Sequence, residues 1–183
     1  MTYIEMITQI LLTLDAGTTA EYLAIAKTSC ETIILGIISN PEVKVEEIKG
    51  FVFEGSIVHD DLSEAKNKIP LTMLSNFERV IDIRNDYFDI MLKDKSYYVL
   101  HKQLVEQMKI QKVCFFRGVC FEFQPFTDDD SIKYSTSVVR YIGYSELAES
   151  DVIEEYFSYK LKQELIEQST ELIARRIGIM EQE

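Results

Sequence analysis

Two histidines, His59 and His101, are the only imidazoles in this chain. His59 adjoins Asp60-Asp61. One imidazole and two carboxylates can hold a divalent cation weakly or serve as a general acid–base pair. The same trio lies in a polar run from His59 to Lys68, where it reads as an acidic surface loop. Asp128-Asp129-Asp130 lacks the alternating ligands, turn glycine and terminal glutamate of a calcium loop, so it reads as a solvated turn. Neither histidine belongs to an H-x-x-x-H pattern, and there is no C-x-x-C. Phosphate-cradling glycine loops and G-x-S-x-G are missing too, the seven glycines being scattered singly. Glu164 with Glu167, and Glu167 with Glu171, stand at helical spacing on the polar side of a helix. The expectation is a chain with no catalytic residue, no cofactor and no metal.

The elements carrying these residues are built from a hydrophobic fraction of 46%, enough for a sizeable core in 183 residues. Thirty-one acids against 19 bases give a formal charge of −12. Such a surface does not wrap nucleic acid or an anionic membrane, because phosphate binding needs a basic face. It is compatible with an acidic wall past which DNA slides. Three cysteines supply no disulfide framework and read as buried free thiols of a reducing cytosol. The start of the chain lacks the pattern of a signal peptide, and no stretch approaches the roughly 18 apolar residues of a membrane span. A soluble protein made in the cytoplasm is expected.

Thr2-x-x-Glu5 and Thr18-x-x-Glu21 are capping-box patterns. Behind the first, Tyr3, Ile7, Ile10, Leu11 and Leu14 share a helical face. Behind the second, Leu23, Ala26, Cys30, Ile33, Ile34 and Ile37 do. Asp15-Ala16-Gly17 separates an antiparallel helix pair, and Asn40-Pro41 stops the second helix. Residues 42–143 are β-rich. Val43-Lys44-Val45 alternates, and Phe51-Val52-Phe53 and Ser56-Ile57-Val58 are short runs broken by Gly50 and Gly55. Arg79–Ile83 and Tyr87–Leu92 read as strands, as does Ser135–Ile142. Tyr97–Met108 reads as a helix with Leu100, Leu104 and Met108 on one face. Asp151 with Glu154 caps a long helix over 151–178, whose stripe is Ile153, Phe157, Leu161, Leu165, Leu172 and Ile173. Arg175-Arg176 before Gly178 ends it, with cations at the negative end of the dipole. Residues 179–183 form a tail.

Lys112–Pro125 contains two β runs meeting at Arg117-Gly118, read as a two-residue turn. Phe116 would then face Val119, Phe115 face Cys120 and Cys114 face Phe121. Cys114, Phe116, Val119, Phe121 and Phe123 lie on one side of the sheet; Val113, Phe115, Cys120 and Glu122 lie on the other. Both sides are apolar, so both must be covered. The class is α+β: a helical bundle of an N-terminal helix pair and a long C-terminal helix, carrying a β-rich middle insert.

Taken in order, the chain resembles the head-to-tail adaptor (connector or neck) proteins of short-tailed and related tailed bacteriophages. The resemblance spans roughly residues 3–175. It rests on the helix pair leading into Phe51-Val52-Phe53, on Ile69-Pro70-Leu71 followed by Phe77–Ile83, and on Gly118–Pro125. Val138–Leu147 and the helix bearing Tyr156 and Tyr159-Lys160-Leu161 complete it. It implies a single adaptor-like domain over 1–183 and a virion protein of the neck. The protein would form a ring with itself, typically a dodecamer, binding the portal protein and tail or nozzle proteins. Genomic DNA would pass through without specific binding, and no membrane would be engaged.

Arg175 and Arg176 are a concentrated basic pair in an acidic chain, and Ile177, Ile179 and Met180 follow around the helix-ending Gly178. Exposed apolar residues of this kind usually have a partner. The expected contact of this segment is the portal or a neighbouring subunit. Two other readings compete: a cytosolic protein-binding or regulatory module without catalysis, and an enzyme with a cryptic acidic site at His59, Asp60, Asp61 and Asp128–Asp130.

Overall fold

Thr2 and Glu5 begin the first helix as their spacing predicts. In the computed structural model, which describes residues 1–56, 68–107, 110–118, 120–125 and 136–179, the Glu5 amide donates to Thr2 Oγ1 at 3.3 Å. The Thr2 amide returns a bond to Glu5 Oε2 at 2.7 Å. The class is α+β. The chain divides into a helical unit, Met1–Val52 with Tyr144–Glu183, and a β-rich unit, Phe53–Gly143.

In the helical unit, α1 (Tyr3–Thr13) and α2 (Ala20–Ser39) are joined through Asp15 and Gly17, both at positive φ. The cap of α2 is Thr19, not Thr18: its Oγ1 accepts from the Tyr22 amide at 3.3 Å. Asn40 ends the helix ahead of Pro41, in extended geometry. Contrary to expectation, α2 is long and apolar enough, by length and composition, to cross a membrane. Its Ala26, Cys30, Ile34, Ile37 and Ile38 are buried, and the helix packs on α1 and on the last helix.

Val43–Val45 forms no strand. Two single 3-10 turns, Val45–Glu47 and Lys49–Phe51, follow instead. The reason is spacing: Ile48 and Phe51 are both fully buried, three residues apart, which is the period of a 3-10 turn and not of a strand. The Phe51 ring lies 5.4 Å from Tyr156 and 5.3 Å from Phe157.

The expected long helix from Asp151 is broken in two. A single turn, α4 (Ile153–Tyr156), precedes α5 (Tyr159–Arg176). Phe157 is extended, at φ −124° and ψ 148°, and buried. Ser158 starts α5 by accepting from the Leu161 amide at 3.3 Å, while its own amide donates to the Glu47 carbonyl at 2.8 Å. Asp151 is therefore no cap. Its carboxylate accepts from the Ala148 amide at 2.9 Å and the Tyr156 hydroxyl at 3.0 Å. Leu161, Leu165 and Ile173 of the predicted stripe are buried; Leu172 is only half-buried.

The β-rich unit holds two sheets. The strands are β1 (Val52–Ser56), β2 (Lys68–Pro70), β3 (Phe77–Arg84), β4 (Asp89–Leu92), β5 (Gln111–Arg117), β6 (Cys120–Gln124) and β7 (Val138–Gly143). One sheet has the order β1-β7-β3, the other β2-β6-β5-β4. β1 runs through Gly55 without a break. A Cβ there would lie 2.8 Å from Leu74 Cδ2, so the glycine serves close packing.

The hairpin turn sits one residue later than predicted. Arg117 pairs with Cys120, Phe116 with Phe121, Phe115 with Glu122 and Cys114 with Phe123. Gly118, at φ +65°, is thus the first loop residue, where a two-residue hairpin turn needs positive φ. The pairing shifts by two residues across the ladder, so the two sides keep their membership. Cys114, Phe121 and Phe123 join a core with Ile69, Ile83, Val139 and Tyr141. Val113 and Phe115 on the other side are covered by Val105, Tyr97 and Tyr98 of α3 (Lys95–Gln107). Both sides are covered around these residues, but Phe116, expected on the first side, is 54% exposed at the hairpin end, outside that core.

Helix α3 does not turn its leucines to the sheet. Its buried residue is Val105, while Leu100 is 79% and Leu104 51% exposed. Tyr97, Tyr98 and Val105 pack on the sheet, while His101, at φ −107° and ψ 18°, breaks the helical geometry between the exposed Leu100 and Leu104. Ile57, Val58, Met108, Val119 and Ser135 lie outside the described residues.

Candidate functional site

The segment singled out in the sequence is the end of α5. Buried Ile173 and Ala174 anchor its last turn. Beyond Ile177, Gly178 takes φ +77°. The Gly178 amide then donates to the Arg175 carbonyl at 3.3 Å and the Ile179 amide to the Ala174 carbonyl at 2.9 Å. These two bonds make a Schellman ending. The ending fixes where Ile179 leaves the helix, with 52% of its surface exposed.

The two arginines differ. Arg175 donates to Glu171 Oε1 at 3.3 Å, an exposed pair one turn apart. Such a pair stabilises by only a few tenths of a kcal/mol, roughly 0.3–0.5. Arg176 donates to Ser29 Oγ at 3.1 Å, and the Ser29 hydroxyl donates onward to the Ile25 carbonyl at 2.7 Å. Arg176 therefore ties α5 to α2, and both arginines are exposed as residues. Arg175, Arg176, Ile177 and Ile179 are gathered at one helix end. Met180 lies outside the described residues, as do His59, Asp60, Asp61 and Asp128–Asp130.

A groove of mixed character, its first hollow walled by Lys162 and Gln163 as well as Met6 and Ile10, adjoins this end. It runs between α1 and α5 as two hollows of about 340 and 510 Å³ that share Ile166 and Thr170. Glu167 and Glu171, read from the sequence as a solvated pair, line the second hollow together with Leu14 and Ala174. Among the described residues no cluster of three or more His, Cys, Asp or Glu side chains is placed to hold a metal ion. His101 packs on Tyr97, ring centroids 4.6 Å apart, in the β-rich unit.

The three thiols are free. Burial pushes the Cys30 thiol up to about 11 and raises that of Cys114 as well. Neither is a nucleophile near neutral pH, because the thiolate is the reactive form. Cys120, half-buried, sits opposite Arg117 on the other side of the hairpin from Cys114. Glu122 is buried on the same side as Cys120. Its burial raises the carboxyl, but bonds from Gln124 at 3.0 Å and Arg117 at 3.0 Å outweigh this and hold it below the ordinary value.

The exposed α3 ridge is the surface that sequence reasoning missed. A signal was present: Tyr97, Tyr98, Val99, Leu100, Leu104 and Val105 make the helix apolar nearly all round. A helix lying on a sheet buries one side only. Compared with models of known protein families and with curated proteins, the chain matches none.

Proposed function

We propose that the chain is a structural subunit of a tailed-bacteriophage neck: a head-to-tail adaptor that forms a ring between the portal and the tail proteins. The order of parts carries this reading. Helices from both ends of the chain fold into one unit, and the β-rich unit is spliced between them. In this reading the helix pair and the C-terminal helix form the bundle, with the β-rich segment as its insert. The end of α5, with Arg175, Arg176, Ile177, Ile179 and Met180, is the contact to the portal or to a neighbouring subunit. A net charge of −12 suits a wall lining a DNA exit channel. The ring catalyses no reaction and needs no cofactor.

The test is electron microscopy of the protein mixed with the portal protein from the same genome. The expected result is a ring of added density on one end of the portal. Arg175→Glu combined with Ile179→Asp should abolish it while leaving the melting temperature unchanged, since both side chains are exposed. A wild-type chain that leaves the portal bare overturns the proposal.

A further inference from the structure

Strand β5 runs past the end of its neighbour. β4 pairs with it in parallel as far as Leu92 opposite Cys114, and the Lys93 amide makes the last bond, to the Cys114 carbonyl at 3.0 Å. The chain then turns into α3 at Lys95. β5 continues through Phe115, Phe116 and Arg117 to the hairpin. Arg117 and Cys120 close a two-residue loop, so they exchange backbone bonds with each other, as do Phe115 and Glu122. The backbone of Phe116, between them, is turned to the opposite side, where β4 has ended. Its N–H and C=O form an open strand edge among the described residues.

Other edges are guarded. Lys68 and Pro70 stand on β2, and two register shifts interrupt β3. The Phe116 edge carries no proline, and the charge of Arg117 beside it is taken up by Glu122 at 3.0 Å. A hollow of about 550 Å³ lies along this edge. Val80, Leu92, Cys114 and Phe121 line it with Phe116, whose ring is 54% exposed and meets Phe121 edge-on at 5.6 Å. Lys93, Asp94 and Lys95 are its charged residues, all exposed and none in an ion pair among the described residues. Two cations thus stand against one anion, in a chain whose formal charge is −12.

An open edge, an apolar hollow and a cationic rim together fit an extended segment that carries an apolar side chain and then acids. The chain supplies one. Past the Schellman ending at Gly178 the sequence runs Ile179-Met180-Glu181-Gln182-Glu183, two apolar residues followed by two acids and no base. Ile179 leaves α5 52% exposed.

We propose that the 179–183 segment of one copy adds to the Phe116 edge of a second copy as a short strand. The Phe116 N–H donates to it and the Phe116 carbonyl accepts from it. An apolar side chain of the segment fills the hollow, and Glu181 and Glu183 offset Lys93 and Lys95. The contact joins two different surfaces, so it repeats from copy to copy until it closes into a ring. The proposal rests on the adaptor reading, and it names the neighbouring subunit as the target of the α5 end.

Two charge reversals test it, by sedimentation and by hydrogen exchange of the Phe116 amide at low salt. Lys93→Glu with Lys95→Glu reverses the rim and keeps the segment. Glu181→Lys with Glu183→Lys reverses the segment and keeps the rim. Each alone should run at the single-chain mass of 21.2 kDa and melt like the wild type. The wild type should form larger species in which the Phe116 amide exchanges at least about tenfold more slowly than in either variant. An equal mixture of the two variants should assemble again, since each segment then meets a rim of opposite charge. Assembly of either variant alone, no assembly on mixing, or an unprotected Phe116 amide in the wild-type assembly overturns the contact. A wild type at the single-chain mass with that amide protected places the segment on its own chain, and overturns the second copy as occupant. Failure of this contact is separable from failure of the adaptor reading. Rings that persist on the portal with Lys93→Glu/Lys95→Glu overturn the contact only. A self-assembling chain that ignores the portal overturns the adaptor reading only. A wild type that stays monomeric with and without portal overturns both.

Discussion

The two units spend their apolar residues differently. The helical unit is aliphatic inside: Ile7, Ile10, Leu11, Ile34, Ile38, Leu165 and Ile173 are all essentially buried, with Phe51 and Phe157 as its aromatic corner. The β-rich unit is aromatic inside, built on Phe121, Phe123, Tyr141 and Phe88. Among the described residues it also leaves more outside. Tyr87, Val99, Leu100, Leu104, Ile110 and Phe116 are exposed there, against Leu12, Tyr159 and Ile179 in the helical unit. A helix can pack neighbours around much of its circumference, whereas a sheet offers each covering helix one flat side. The surplus on α3 is therefore surface that folding left unused.

The largest effects should come from breaking the two cores. Phe123 is 1% exposed, and Phe123→Ala should cost about 3–5 kcal/mol of stability. Leu165→Ala in the helical unit should cost about 2–5 kcal/mol. Leu100→Ala on the ridge should stay within about 0.5 kcal/mol. Urea unfolding followed by circular dichroism reads all three. A loss above about 2 kcal/mol at Leu100 would show that the ridge belongs to the fold, against the contrast drawn here.

Gly50→Ala comes next. A Cβ at Gly50 would lie 2.3 Å from Tyr156 Cδ1 and 2.9 Å from the Tyr156 Cα. The backbone contact leaves no cheap relief, so overpacking of about 1–3 kcal/mol is expected. Gly36→Ala, in the last turn of α2 with nothing within 4 Å of the added carbon, should instead stabilise by up to roughly 0.5–1 kcal/mol through helix propensity. Equal thermal shifts for the two glycines would break the argument that Gly50 is there for close approach.

Where periodicity is long, the sequence was readable. The stripes of α1 and α2 identify buried Ile7, Ile10, Leu11, Ala26, Cys30, Ile34 and Ile37, and Thr2 with Glu5 mark an end correctly. Short-range choices were not readable. Thr18 and Thr19 are chemically equivalent caps, and only the turn that forms decides between them. A turn centred on Arg117-Gly118 and a turn that begins at Gly118 both use the glycine, and the positive φ needed at the first loop position favours the second. Asp151 and Ser158 both read as helix starts. Burial of Phe157 beside Phe51 decides that one, through a contact about a hundred residues away that no local pattern encodes. At the candidate site, the cationic helix end and Gly178 were legible because capping is local. The α3 ridge was not, because which side of an apolar helix meets the sheet depends on the strands it covers.

Ser158→Ala tests that decision between caps at a smaller scale. It should cost about 1 kcal/mol by removing the acceptor for the Leu161 amide. Thermal melting of Ser158→Ala beside Ser158→Thr separates the cap from the side chain's size. Recovery of most of the loss by threonine is expected, and equal losses from both would place the effect elsewhere.

The smallest effect is electrostatic and compares one carboxylate in each unit. In the helical unit Glu154 accepts from Lys162 at 2.6 Å and from the Met1 amino group at 3.2 Å. The Lys162 bond is the largest cause that lowers its carboxyl from 4.5 to about 2, followed by its own backbone amide. In the β-rich unit Glu122 is likewise held below its ordinary value. A depressed folded-state value means the contribution is present above the unfolded carboxylate value and is lost as pH falls through the folded one. For Glu154 that window runs from about 4.5 down to about 2. Glu154 is 42% exposed, so solvent screening limits its contribution to under about 1 kcal/mol. Urea midpoints measured down this pH range should fall less steeply in Glu154→Gln than in the wild type, and added salt should narrow the gap. Glu122→Gln should flatten the same curve and respond less to salt, because its carboxylate is buried at 7% exposure. Identical salt responses for the two variants would mean that solvent reaches both carboxylates alike, and the contrast between an open helical pair and a covered sheet pair would fail.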